Sequence, residues 1–129
     1  MRYLSPQEIL IIHAKIIDET GGLHGIRDTG LLASLSERPK TQYGGKELYQ
    51  GVFKKTAIYL ESIIQYHVFL DGNKRTAISV SARFLFINGY ILETNNKELE
   101  KFVLRVAIEK LDTEKIAEWF KKNSKKIRK

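Results

Sequence analysis

Nine residues, His67-Val68-Phe69-Leu70-Asp71-Gly72-Asn73-Lys74-Arg75, gather an imidazole, a carboxylate, a Gly-Asn pair and two cations. His67 is the one side chain among them that takes up a proton near neutral pH. It fits a general base acting on an attacking hydroxyl; its plainer role is a helix C-cap, where an imidazole meets the negative end of the dipole. Asp71 offers a hard oxygen of the kind Mg²⁺ takes beside phosphates, or else a turn carboxylate bonded to local backbone. Gly72 can adopt backbone angles closed to other residues, and Asn73 is a strong N-cap type. The backbone N–H groups of Gly72, Asn73 and Lys74 would form an anion nest. Lys74 can act as a point charge and Arg75 as a bidentate phosphate grip; a solvated helix start would use the same two cations. Ser79, one turn beyond Arg75, could reach the phosphate site or serve only in helix packing. Cradle, metal ligand and base together point to chemistry on a nucleotide.

Such a loop needs rigid elements on either side. An apolar pattern at helical spacing enters it, with Val52, Phe53, Ala57, Leu60, Ile63 and Ile64 on one face of a helix predicted over 47–67. A second helix leaves it over 73–88. Ala77, Ile78, Val80, Ser81, Phe84, Leu85 and Ile87 make that helix apolar or small nearly all round, which marks it as the buried central helix, and Gly89 is its stop. Phe69 alternates inward and anchors the loop in the core. Upstream, Ser5-Pro6-Gln7-Glu8 reads as a capping box opening a helix with Ile9, Ile12, His13, Ile16 and Ile17 at helical spacing. His13 reads as a packed, hydrogen-bonded histidine rather than a ligand. Gly21-Gly22 ends that helix. The loop to Arg27 follows, its His24 and Arg27 read as turn polarity with a functional role left open. Asp28 caps a short helix that Pro39 closes. Residues 38–45 read as a mobile connection. Tyr90-Ile91-Leu92 is a brief extended segment. Asn95 or Asn96 caps a helix to about Leu111, and Asp112 caps a last one holding Ile116, Ala117, Trp119 and Phe120. The pattern predicts an all-α bundle of about six helices around a buried central helix, with room for one short β-hairpin.

Residues 67–75 resemble the signature of the Fic/Doc family, His-x-Phe-x-[Asp/Glu]-[Gly/Ala]-Asn-[Gly/Lys]-Arg. The Asn-Lys-Arg ending is similar to the death-on-curing, or Doc, branch. So are Gly21-Gly22-Leu23-His24-Gly25-Ile26-Arg27-Asp28 and the following Gly30-Leu31-Leu32. With the chain length, the similarity covers nearly the whole chain. It implies a compact Fic/Doc-type bundle and a toxin of a toxin–antitoxin system. It also implies a kinase-type transferase that uses ATP and Mg²⁺ to phosphorylate a hydroxyl of a protein target, the translation factor elongation factor Tu, arresting translation. His67 would be the catalytic base and Asp71 the metal ligand. Gly72, Asn73, Lys74, Arg75 and Ser79 would hold phosphate. In relatives a flap that positions the target backbone comes from the region of residues 38–45. AMP-transferring members carry glycine where Lys74 stands and a second arginine where Ile78 stands, so the resemblance favours phosphate over AMP; an adenylyltransferase is the alternative enzyme. No intact inhibitory pattern of the [Ser/Thr]-x-x-x-Glu-[Gly/Asn] type occurs, because Thr94-x-x-x-Glu98 is followed by Leu99. A separate antitoxin protein is the control this implies.

Composition bounds the rest. At 129 residues the chain reads as one domain, 1–120, with a basic tail, 121–129. Hydrophobic residues at 43% and charged ones at 29% suit a globular protein that buries a core. Without cysteine, thiolate catalysis, disulfides and cysteine-held zinc are excluded. No apolar run approaches the roughly 20 residues of a membrane span, and Gln7 and Glu8 interrupt any secretory segment, so the cytoplasm is the expected location. The net charge is +7, but six of the cations stand in 121–129 without an acid, leaving the body at +1. The tail reads as a solvated, frayed C-terminus. Its rival reading is a non-catalytic nucleic-acid-binding module.

Overall fold

The computed structural model describes residues 1–127. Six helices make up most of them, joined by two small antiparallel strand pairs. The first helix, α1, spans Pro6–Thr20 and opens on the expected capping box. Glu8 N–H donates to Ser5 Oγ at 3.1 Å and Ser5 N–H to Glu8 Oε1 at 3.2 Å; such a cap contributes about 1 kcal/mol. Asp28 caps α2, Thr29–Glu37, by accepting from Gly30 and Leu31 N–H. Pro39 does not end the chain's turning, because a 3-10 turn, Arg38–Lys40, continues through it. The connection expected to be mobile then folds into a hairpin, β1 Gln42–Tyr43 with β2 Lys46–Glu47.

The third helix, α3, spans Val52–Tyr66 and starts five residues later than the pattern predicted, because 47–51 belong to the hairpin and its exit. Its positions 55–60 are buried without a break, so α3 shares the centre of the bundle with α4, Asn73–Ile87. Lys54, Lys55, Glu61 and Gln65 disguise that burial in the sequence. α5, Asn96–Glu109, takes its cap from Asn95, and α6, Thr113–Lys122, from Asp112. The core of Leu60, Ile63, Phe84, Phe102, Val106, Ile116 and Phe120 joins α3, α4, α5 and α6. Each such side chain removed from water contributes about 1.5–3 kcal/mol.

The tail is the largest departure from the sequence reading. Lys121 and Lys122 lie in the last turn of α6, and β4, Ser124–Lys126, pairs with β3, Tyr90–Leu92, in the register Tyr90↔Lys126, Ile91↔Lys125, Leu92↔Ser124. Ile127 N–H adds a bond to Gly89 O at 2.9 Å. Far from fraying, 124–127 are held by backbone pairing. Lysine and serine are poor strand formers, so nothing local announced it. Arg128 and Lys129 lie outside the described residues. Among the described residues, no helix is long and apolar enough to cross a membrane.

Candidate active site

Helix α3 ends at His67, which takes the left-handed conformation (φ 48, ψ 56) and is exposed. That conformation is disfavoured for side chains with a Cβ, although histidine is among those that adopt it. Here it is held from outside the helix. Arg27 donates Nε–H to His67 O at 2.7 Å and Nη2–H to Tyr66 O at 2.5 Å. The guanidinium thus satisfies carbonyls the helix leaves unpaired and brings a cation to its negative end. The imidazole is a C-cap residue and at the same time presents an accessible ring from a fixed backbone.

After His67 the chain turns inward. Val68 and Phe69 are buried and Leu70 is exposed. Residues 25–27 run antiparallel to this segment, with Arg27 N–H to Val68 O at 2.8 Å and Leu70 N–H to Gly25 O at 3.1 Å. The upstream glycine block therefore forms the wall of the loop. Phe69 stacks on His13, ring centres 3.8 Å apart and planes within 6°. His13 is itself buried and its Nε2 lies 2.8 Å from Asp71 O. Burial pulls the His13 pKa below its usual value, the bond to Asp71 O opposing. The neutral ring donates to that carbonyl.

The Asp71 carboxylate accepts Leu23 N–H at 3.1 Å on one oxygen and Gly72 N–H at 2.8 Å on the other. These two bonds, first that from Leu23, hold its pKa below the usual carboxylate value, with Arg75 and His13 adding smaller effects. Gly22 is required there, because a Cβ on it would stand 2.5 Å from Asp71 Oδ2.

The helix that follows begins differently from the sequence expectation. Gly72, at φ 73, is the N-cap, and a side chain in its place would press on Ile17 Cδ1 at 2.9 Å. Asn73 is the first helical residue, and its side chain turns back to close the loop. Oδ1 accepts Phe69 N–H at 3.0 Å and Nδ2 donates to Phe69 O at 2.9 Å. Gly72 N–H is taken by Asp71, so it leaves the expected anion nest. The N–H groups of Asn73, Lys74 and Arg75 replace it, since no side chain caps α4 and the first helical bond is Thr76 N–H to Gly72 O.

His67, Asp71, Gly72, Asn73, Lys74 and Arg75 line one cavity of about 350 Å³, completed by Ile64, Gln65, Leu70 and Ala107. Lys74 is exposed at its rim, and Arg75 is partly buried with Nη1 donating to Thr20 Oγ1. Ser79 is not brought there. It lines a second, mostly apolar cavity of about 400 Å³ with Ile11, Ile12 and Ile16 of α1 and Arg83 of α4. Ile78 packs against the core. His24 is exposed and 2.8 Å from Asp18 Oδ1. The reading of His13 as a packed, hydrogen-bonded histidine holds, although its place beneath Asp71 was not foreseen. Sequence reasoning missed Arg27 as the clamp on α3 and Gln65 and Ala107 in the cavity wall. Arg27 had a signal, a cation just before a capping Asp28 in the glycine block. Ala107 had none, because only the packing of α5 places it.

A cavity with an uncapped helix N-terminus, two cations and an ionised carboxylate can hold a polyphosphate, and an accessible imidazole beside it can take a proton. Comparison with known proteins bears on the family alone. Residues 3–85 match the model of the Fic/DOC family. The chain is 35% identical over 89 residues to the protein named Protein kinase doc of Escherichia phage P1, covering 69% of this chain and 70% of that one. It is 35% identical over 99 residues to Toxin Doc of Mycolicibacterium smegmatis, covering 75% of this chain and 76% of the relative. With the signature loop, the glycine block behind it and the helical bundle all in place, the chain belongs to the Fic/Doc family.

Proposed function

We propose that the chain is a Doc-type toxin that transfers the terminal phosphate of ATP to a hydroxyl of a target protein. The observation that carries this is the shared cavity of His67, Asp71 and the uncapped start of α4 with Lys74 and Arg75. The polyphosphate lies against the N–H groups of 73–75, where the helix end favours an anion. The target hydroxyl approaches from the open side. Its oxygen bonds to the terminal phosphorus, its proton passes to His67, and the bond to the bridging oxygen breaks to release ADP. His67 needs no burial for this, since its exposure lets a hydroxyl on a large protein reach it. Phosphoryl transfer asks the protein chiefly for positioning and charge neutralisation.

The residues present fit Mg²⁺ brought in with ATP. Among the described residues no cluster of three or more histidines and acids could hold a metal alone. Mg²⁺ bound through one carboxylate plus substrate phosphates needs no such cluster. Asp71, kept ionised and with lone pairs beyond its two backbone bonds, supplies that carboxylate. The metal would neutralise charge on the phosphates.

Phosphate is favoured over AMP by two positions. Lys74 stands at the rim of the cavity, and Ile78, packed in the core, gives no second arginine for a longer phosphate chain. The target proposed is elongation factor Tu, with arrested translation as the result. Control falls to an antitoxin. Glu98 opens α5 under the Asn95 cap and belongs to no inhibitory motif. The apolar cavity between α1 and α4 offers a groove to a helical antitoxin segment with anchors at helical spacing.

Incubating the chain with purified elongation factor Tu, ATP and Mg²⁺ tests the reading. Transfer is expected, lost on chelation and reduced by about 10²–10⁴ in His67→Ala, with the chain still folded and its melting temperature lowered by no more than a few degrees, the share of the left-handed backbone and not of the exposed ring. A His67→Ala chain that modifies the target at the wild-type rate would end the catalytic reading.

A further inference from the structure

The β1–β2 hairpin has almost nothing of its own to hold it. Both strands are exposed over their two residues, and Tyr43 is 83% exposed. A Cβ added at Gly44 or Gly45 in its turn would meet nothing within 4 Å. Within the hairpin, Leu48 N–H to Thr41 O at 2.9 Å extends the short ladder. Yet directly under it stands a lysine that no reading of the site uses. Lys55, in the first turn of α3, is fully buried.

Its ammonium donates to Pro39 O at 3.2 Å and to Tyr49 O at 2.6 Å, and lies 3.3 Å from Glu47 Oε1. An ammonium has three N–H bonds, and here all three partners belong to the segment 39–49. Pro39 precedes the hairpin, Tyr49 follows it and Glu47 is in its second strand. A buried charge without partners is costly, so the three acceptors must stay where they are. The hairpin is thereby fixed at both limbs to one atom of α3. A second cation fixes its root nearer the cavity. Arg38 donates Nη1–H to Ser62 Oγ at 2.7 Å, pairs with Glu61 at 3.1 Å, and lies over the rings of Tyr49 and Tyr66. Tyr66 is the residue before His67.

We propose that Lys55 is a positioning residue for the protein substrate: by fixing both limbs of the β1–β2 hairpin to α3 it sets where the hairpin stands relative to His67. This rests on the reading of the chain as a protein-modifying enzyme. Lys55 touches neither nucleotide nor hydroxyl. Its effect falls on the KM for the protein target, not on the chemical step.

Lys55→Met keeps the length and burial of the side chain and removes the three bonds. With elongation factor Tu as the varied substrate, KM is expected to rise about tenfold or more while kcat and the Kd for ATP stay within about twofold, the pattern of lost substrate positioning. Hydrogen exchange at the Leu48 amide is expected to quicken in the same variant. Glu47→Gln, altered at a half-exposed carboxylate that leaves the core intact, is expected to shift KM the same way by a smaller factor, and it carries the test if Lys55→Met does not fold. An unchanged KM in a folded Lys55→Met with faster Leu48 exchange overturns the proposal, as does a fall in kcat at constant KM. If Lys55→Met does not fold, an unchanged KM in Glu47→Gln overturns it too. A wild-type chain that transfers nothing from ATP overturns the enzyme reading, and this proposal with it.

Discussion

At the scale of single residues, the site depends on groups that do no chemistry. His13 is the clearest. It supports Phe69 with its face and Asp71 O with its edge, from within the core. Because burial lowers its pKa, the unfolded chain binds a proton near 6.5 that the folded chain resists. The unfolded state therefore holds more protons in that range, and stability rises with pH. The contribution is complete above the unfolded value and is lost as pH falls from there toward the lower folded value. The melting temperature is expected to drop between about pH 7.5 and 5.5, and the slope to flatten in His13→Gln, which keeps a neutral donor. Thermal melts of both proteins across that range check it. An equal slope in the two would show that another group sets the pH dependence. Asp71 adds a lower window. Its depressed pKa means that its carboxylate bonds persist above the unfolded carboxylate range and fail only as pH falls through the folded value.

At the scale of elements, the caps were plain to read and the joints were not. Ser5, Asp28, Asn95 and Asp112 each cap the helix that their sequence position announces, because a side chain bonding two or three residues ahead is local chemistry. Asn73 looked like a fifth such cap but spends its amide on Phe69, a choice set by the loop's closure and not by helix propensity. That one loop brings an imidazole, a carboxylate and two cations to a single cavity was legible. That Ser79 faces α1, and that α5 lends Ala107 to the cavity, depends on helix rotation and packing that no short motif encodes. Arg27 is where element and site meet. Replacing it with Met removes the external hold on the left-handed His67. Because the guanidinium is exposed, the cost in stability is expected to be about 1 kcal/mol. The loss in target modification is expected to be at least tenfold, since a misplaced base loses more in rate than a frayed turn loses in stability. Urea unfolding alongside initial rates separates the two. A rate loss no greater than the stability loss would show that Arg27 matters only as a cap.

At the scale of the whole molecule, residues 121–127 of the basic C-terminal stretch belong to the fold. Deleting residues 124–129 removes the partner of Tyr90–Leu92 and is expected to lower the melting temperature by several degrees. Replacing Lys125 and Lys126 with Gln leaves the backbone pairing intact. It is expected to change neither stability nor growth arrest, because both side chains are exposed. Loss of arrest in the double replacement, with stability kept, would revive a nucleic-acid role for those cations; such binding would also weaken steeply with salt. The central claim is narrower. On the proposed reading, the cavity of His67, Asp71 and the open end of α4 would deliver the terminal phosphate of ATP, not its nucleotide. ATP labelled in parallel at the α- and γ-positions, incubated with the chain, Mg²⁺ and elongation factor Tu, tests this most directly. The account predicts that label stays on the target from the γ-position alone; label retained from the α-position would contradict it and identify an adenylyltransferase.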